Sequence, residues 1–195
     1  MTRIIAGAAG SLRLTTPPGS ATRPTSDKVR EAMFSALESW GFTVDTRVLD
    51  LYAGSGALGL EAASRGAASV ELVERHAPTV RVIEANIRAV QKALQGSCVI
   101  RAHKQSAKSY LANYSGDSFD VVFVDPPYDF SNADVVADLA ALTPHLVDDA
   151  VVVVERDTRS GEPEWPAGLE LVRTKKYGET TLWWLEPSPT TTDEV

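Results

Sequence analysis

The chain has 195 residues, 44% of them hydrophobic, and one cysteine, which is enough for one domain with its own apolar core and excludes an internal disulfide. A net charge of −7 argues against indiscriminate binding to phosphate backbones. No apolar run approaches membrane-spanning length, and Met1-Thr2-Arg3 leads into Gly- and Ala-rich sequence without a signal-peptide core, so a cytoplasmic protein is expected.

Residues 1–30 hold Arg3, Arg13, Arg23, Lys28 and Arg30 against Asp27 alone, a net +4 that leaves −11 for the remainder. A nucleic-acid partner would therefore meet the amino end. There, Arg3-Ile4-Ile5-Ala6-Gly7 and Ser11-Leu12-Arg13-Leu14 flank Gly7-Ala8-Ala9-Gly10, which reads as a small β-hairpin. Pro17-Pro18-Gly19-Ser20 separates it from the first helix.

From an N-cap at Thr25 or Ser26, Val29, Met33, Ala36, Leu37 and Trp40 recur at helical spacing up to Gly41. A strand comes next at 47–51, then a glycine-rich turn and a helix over about 57–65 that Gly66 stops. The second strand of this series, 69–73, ends at Glu74. Pro78 sits where a helix tolerates proline, and Val80, Ile83, Ile87, Val90 and Leu94 share one side of the helix it opens. A strand at 98–101, a short helix around 107–111 and the apolar run Phe119-Asp120-Val121-Val122-Phe123-Val124 come after it. A helix near 133–142, a β-branched strand at 150–155 and two strands, 169–175 and 180–185, close the series. Tyr177-Gly178-Glu179 joins that last pair as an antiparallel unit. Alternating β and α with apolar strands predicts an α/β fold, a mostly parallel sheet covered on both faces. The sequence has no internal repeat, and the Pro- and Thr-rich tail 187–195 is expected to be disordered.

Two stretches carry chemistry. Gly54-Ser55-Gly56-Ala57-Leu58-Gly59 fits the pattern G-x-G-x-x-G and opens a helix, bringing backbone close to a ligand. Bare N–H groups at that helix start suit an anion, and Glu74 at the next strand's end suits ribose hydroxyls. Asp50, just before the turn, repels a pyrophosphate and attracts the ammonium of an amino acid, so S-adenosylmethionine fits better than NAD. The second stretch, Asp125-Pro126-Pro127-Tyr128, puts a carboxylate, a stiffened carbonyl and an aromatic ring at a strand's carboxyl end. The Asp125 carboxylate and the Pro126 carbonyl can accept the two N–H bonds of an amine while Tyr128 stacks on the base that carries it.

Asp50-Leu51-Tyr52-Ala53-Gly54-Ser55-Gly56-Ala57-Leu58-Gly59, Glu74, Asp125 to Tyr128, the segment Arg23-Pro24-Thr25-Ser26-Asp27-Lys28-Val29-Arg30-Glu31-Ala32-Met33-Phe34 and Tyr177-Gly178-Glu179-Thr180-Thr181-Leu182 together resemble the RsmD family of 16S rRNA guanine-N2 methyltransferases. The similarity runs from Arg3 to about Leu185. It implies a seven-stranded Rossmann-like methyltransferase sheet with helices on both faces and an antiparallel last strand. It also implies an S-adenosylmethionine cofactor, no metal, and one guanine of 16S rRNA as substrate, reached within the assembled small ribosomal subunit by a monomer. Domain boundaries accompany it: a hairpin extension over 1–20 contacting RNA, a methyltransferase domain over 21–186 and the tail. Asp125, Pro126 and Tyr128 are then the catalytic set. Asp50, Tyr52, Gly54, Gly56, Gly59 and Glu74 hold the cofactor, with Ser106 or Gln105 at its adenine, where such enzymes usually place an acid or amide. Arg3, Arg13, Arg23 and Lys28 contact RNA backbone.

Other residues carry less. His76, His103 and His145 lack metal-ligand spacing. Cys98 reads as buried filler, and one ring of Trp183-Trp184 as core with the other free to flank substrate. Methylation of adenine or another amine, a nicotinamide oxidoreductase and a non-catalytic ribosome-assembly RNA binder remain as alternatives.

Overall fold

The computed structural model describes residues 2–17 and 26–188. Thr2–Arg3 (β1) and Arg13–Leu14 (β2) pair antiparallel, Thr2 opposite Leu14. Asp27–Ser39 (α1) begins at Ser26, whose hydroxyl accepts from the Val29 amide at 3.3 Å; Thr25, the other expected cap, lies outside the described residues. Next in the chain are Arg47–Asp50 (β3), Ala57–Ser64 (α2), Ser69–Glu74 (β4), Ala77–Leu94 (α3), Val99–Lys104 (β5) and Ala107–Asn113 (α4). Phe119–Val124 (β6), Asn132–Leu142 (α5), Leu146–Asp157 (β7), Leu169–Tyr177 (β8) and Thr180–Pro187 (β9) complete the domain.

Seven of these strands form one sheet in the order β5-β4-β3-β6-β7-β9-β8. All neighbours from β5 to β7 run parallel, and β9 lies antiparallel between β7 and β8. The expected α/β architecture is borne out, with its antiparallel strand. The chain winds from β3 outward through β4 and β5, then returns to the other side of β3 at β6. That reversal leaves a crevice above the carboxyl ends of β3 and β6, the place where open parallel sheets bind ligands.

Strand alternation sorts the core onto two faces. Phe34, Leu37, Val70, Leu72, Ile83, Val90 and Trp184 fill the face under α1, α2 and α3. Leu49, Val73, Tyr110, Leu139, Val152 and Trp183 fill the face under α4 and α5. Trp183 and Trp184 are 3% and 2% exposed, so both rings pack in the core and neither is left free to flank substrate. Two strands run longer than their apolar patterns. Phe119 pairs with Leu146 across a bulge, which draws the acidic start of β7 into the sheet, and β4 holds the polar end of β5 out to Lys104. Pro187, expected in the tail, pairs with Leu169, and the Ser188 amide donates to the Gly168 carbonyl at 3.0 Å.

The amino-terminal pair is fastened to α2 by the segment between its strands. Glu61, fully buried, accepts from the Ile5 and Ala6 amides at 2.7 and 3.0 Å, and the Ser64 hydroxyl accepts from the Ala9 amide at 2.9 Å. Ile4, Ala9 and Leu14 are buried in the same contact. Among the described residues, no helix is long and apolar enough to cross a membrane.

Candidate functional site

Asp50 closes β3 and is 1% exposed. Its Oδ2 accepts from the Gly59 amide at 3.0 Å, and its Oδ1 has no hydrogen-bond partner among the described residues. Burial pushes its carboxyl up to about 7, with the Gly59 amide acting against the shift. A buried acceptor without a donor is costly, and a ligand cation would satisfy it.

The turn after Asp50 is shaped by glycine. Gly54 has φ 54°, and a Cβ there would meet nothing nearer than the Tyr52 carbonyl at 4.0 Å, so its backbone stands open to the crevice. Gly56 caps α2 without a side-chain hydrogen bond of its own, and in the first turn it is Asp50 that takes the Gly59 amide. At Gly59 a Cβ would lie 2.3 Å from Leu72 Cδ2, which shows why α2 can lie so close on β4. Glu74 ends β4 with its carboxylate oriented by two backbone amides, those of Gly54 at 3.3 Å and His76 at 2.8 Å. Each oxygen keeps a lone pair for a ligand hydroxyl.

Tyr52, expected at the cofactor, lines the cleft. Its hydroxyl donates to the Asp138 carboxylate on α5, and its ring meets Phe130 edge-on at 5.5 Å. Only its ring is left to line the crevice. Ser106 caps α4 by accepting from the Ser109 amide at 3.2 Å, and it lines the crevice beside Gln105.

One cleft of about 700 Å³ joins Asp50, Tyr52, Gly54 and Glu74 to Ser106, Asp125, Pro126, Pro127 and Tyr128. Asp125 comes directly after β6, Pro126 is buried, and Tyr128 is 57% exposed at the rim with its ring outward from the core. The two motifs, far apart in sequence, thus share one wall-to-wall space. Of the basic residues, Arg3 pairs with Asp27 at 3.4 Å, while Arg13 and Lys28 reach solvent. Arg23 lies outside the described residues.

Three cleft residues have no site role assigned from the sequence, although Arg30 lies in the segment 23–34. Asp138 holds Tyr52, and burial raises its pKa. Arg30 is 1% exposed and donates from Nη2 to the Arg3 carbonyl at 2.6 Å and to Asp27 at 2.9 Å. Arg156, near the end of β7, is 6% exposed and donates from Nη2 to the Phe130 carbonyl at 2.7 Å and to Asn132 Oδ1 at 3.2 Å. Burial lowers its pKa, with Asp125 acting against the shift. The one available signal was a charge continuing the apolar alternation of β7, Val152, Val154, Arg156.

The other singled-out side chains have structural partners. His76 meets the Thr79 hydroxyl, His145 the Leu111 carbonyl and His103 the Glu71 carboxylate. Cys98 is 5% exposed, and burial pushes its thiol up to about 11. Among the described residues, no group of three or more His, Cys, Asp or Glu side chains is placed to hold a metal ion.

Residues 2–186 match the family described as Conserved hypothetical protein 95. The chain belongs to that family. Its curated relatives include Ribosomal RNA small subunit methyltransferase D of Escherichia coli (strain K12), 37% identical over 91% of this chain and 85% of the relative. The protein of the same name from Haemophilus influenzae is 32% identical over 80% of this chain and 78% of its own length. The resemblance to the RsmD family is borne out by these relatives. Among solved structures, the Escherichia coli putative methyltransferase yhhF superposes with a TM-score of 0.81 at 32% identity, covering 96% of this chain and 98% of that one. A hypothetical protein of Thermus thermophilus superposes at 0.79 and 29% identity over 95% and 99%.

Proposed function

We propose that the protein transfers a methyl group from S-adenosylmethionine to the exocyclic N2 amine of one guanine in small-subunit rRNA. The observation that carries this reading is the single cleft joining the Asp50–Gly54–Glu74 wall to Asp125 and Tyr128. A donor held on the first wall and an amine held on the second meet in one enclosed space.

The residues fit that donor. The partnerless Asp50 Oδ1 suits an amino-acid ammonium, the open backbone at Gly54 lets the ligand approach, and Glu74 suits the ribose hydroxyls. When bound, S-adenosylmethionine supplies an electrophilic methyl on a sulfonium sulfur. The amine nitrogen's lone pair forms the new C–N bond as the C–S bond breaks, its electron pair passing to sulfur as a neutral thioether. The nitrogen then sheds one proton. Asp125 and the Pro126 carbonyl orient the amine through its N–H bonds and stabilise the positive charge developing on it, and the Asp125 carboxylate takes the proton. Tyr128, outward at the rim, stacks on a base swung out of its helix.

The rRNA substrate is supported by the names of the relatives that match at 37% and 32% identity. Arg13 and Lys28 supply backbone contacts, and Arg3 joins them by exchanging its Asp27 partner for phosphate. The test incubates the protein and methyl-tritiated S-adenosylmethionine with small subunits from a strain lacking the gene, then digests the rRNA to nucleosides. Label in N2-methylguanosine at one position is the expected result. Label in methylated adenosine, or none, overturns the reading.

A further inference from the structure

Across the adjacent strands β4-β3-β6-β7, Glu74 and Asp50 end the first two, Asp125 directly follows β6, and Arg156 is the next-to-last residue of β7. At about 4.8 Å per strand, these residues form a row across the cleft. Asp50 and Glu74 occupy the donor's side and Asp125 stands between them and Arg156. Any ligand group that Arg156 meets therefore belongs to the methyl acceptor.

Arg156 is more than nine-tenths buried, yet it is only half satisfied. Nη2 holds the Phe130 carbonyl and Asn132, which fastens the guanidinium to the loop carrying Asp125 to Tyr128. Nε and Nη1 have no hydrogen-bond partner among the described residues. Buried guanidinium donors left without acceptors cost more than they return unless a ligand completes them. Arg156 lines the same cleft as Asp125, Pro126 and Tyr128. A buried donor there suits the edge of a flat base inserted into the cleft better than a solvated phosphate.

We propose that Arg156 selects the target base by donating from its unfilled guanidinium edge to the 6-carbonyl of a guanine whose 2-amine is held by Asp125. The inference rests on the guanine-N2 reading above. The 6-carbonyl is an acceptor with no donor counterpart, so it complements a guanidinium and distinguishes guanine from 2-amino bases that lack it. A site built to hydrogen-bond one substrate oxygen rejects the analogue without it, because its donor is left buried and unpaired. Arg156 is also a positioning residue for the tetrapeptide loop, so loss of activity alone would not separate the two roles.

The experiment compares two acceptors. Once the methylated position is mapped, small subunits are reconstituted with synthetic RNA carrying there either guanine or 2-aminopurine, which keeps the 2-amine and lacks the 6-oxygen. The guanine-to-2-aminopurine ratio of kcat/KM is measured for the wild type, Arg156→Gln and Arg156→Lys. The wild type is expected to prefer guanine by about tenfold or more, and Arg156→Gln to bring the ratio close to one while retaining some turnover on 2-aminopurine. Arg156→Lys, which keeps a charge and one donor, is expected to fall between them. The two bases also differ at N1, but that difference enters wild type and variants alike. An unchanged ratio in folded Arg156→Gln overturns the inference, and so does an equal drop on both acceptors, which is the mark of a structural or phosphate contact. If Arg156→Gln fails to fold, an unchanged ratio in Arg156→Lys overturns it. Failure of the wild type to methylate the guanine acceptor at all would instead sink the function proposed above.

Discussion

The Tyr52 hydroxyl donates to the Asp138 carboxylate and so ties the glycine turn after β3 to α5 across the floor of the cleft. Asp138 is 8% exposed, so removing its donor leaves a buried carboxylate unpaired. Tyr52→Phe is expected to lower stability by about 1–3 kcal/mol in urea denaturation. Tyr52→Phe combined with Asp138→Leu should recover most of the loss, since both polar partners are then gone. A single variant as stable as the wild type would remove the bond from the account.

Asp50 makes the ligand-free protein sensitive to pH. Its carboxyl titrates near 7 when folded and near 4 when unfolded. Between those values the folded chain holds a proton that the unfolded chain has released, so this residue's contribution to stability falls as pH rises from about 4 to about 7. Asp50→Asn is expected to match the wild type below about pH 4 and to exceed it by a few kcal/mol at pH 8, in denaturation followed across pH. The same variant should bind S-adenosylmethionine about tenfold or more weakly by calorimetry, because the ammonium loses its counter-charge.

Asp125→Ala should separate binding from chemistry. Asp125 lies beyond the donor's wall of the cleft, so affinity for S-adenosylmethionine stays close to that of the wild type. Methyl transfer to small subunits falls by at least about a hundredfold. Turnover near the wild-type rate would take Asp125 out of the mechanism.

Gly59 tests the packing that sets the cleft's geometry. A methyl group placed 2.3 Å from Leu72 Cδ2 and 2.9 Å from Val70 Cγ1 forces α2 off β4. Gly59→Ala is expected to cost about 1–3 kcal/mol, read as a lowered denaturation midpoint. A midpoint like that of the wild type would mean that Leu72 and Val70 yield freely.

Arg13 and Lys28 are cations of the amino end that reach solvent. Each replacement by alanine should weaken binding to small-subunit RNA without altering S-adenosylmethionine affinity, and should reduce the salt slope of binding by about one. Removing the whole segment before Pro17 is a poor test of the same idea. It would strip Glu61 and Ser64 of the amides of Ile5, Ala6 and Ala9, leaving polar groups on α2 without the partners that the docked hairpin supplies.

Those docking bonds also mark the reach of sequence reading. Local chemistry was legible: Ser26 caps α1, glycines shape the turn before α2, and Asp125 lands at the end of an apolar strand, each dictated by residues within a few positions. Long-range pairings were not. Nothing in the sequence around Glu61 signals burial, yet it is fully buried because backbone from 55 residues away needs its oxygens. Resemblance places Tyr52 at the cofactor, but nothing near it in the chain announces that its hydroxyl is taken by Asp138, 86 residues away. Arg156 has no motif at all, and only the strand order places it beside Asp125.

That strand order also shapes how the chain comes off the ribosome. Leu182, Trp183, Trp184 and Leu185 fill an interior slot between β7 and β8. Until those residues emerge, β7 presents an open, Val-rich edge and both hydrophobic faces lack a tryptophan. Chains that lack β9 therefore expose an edge open to intermolecular strand pairing.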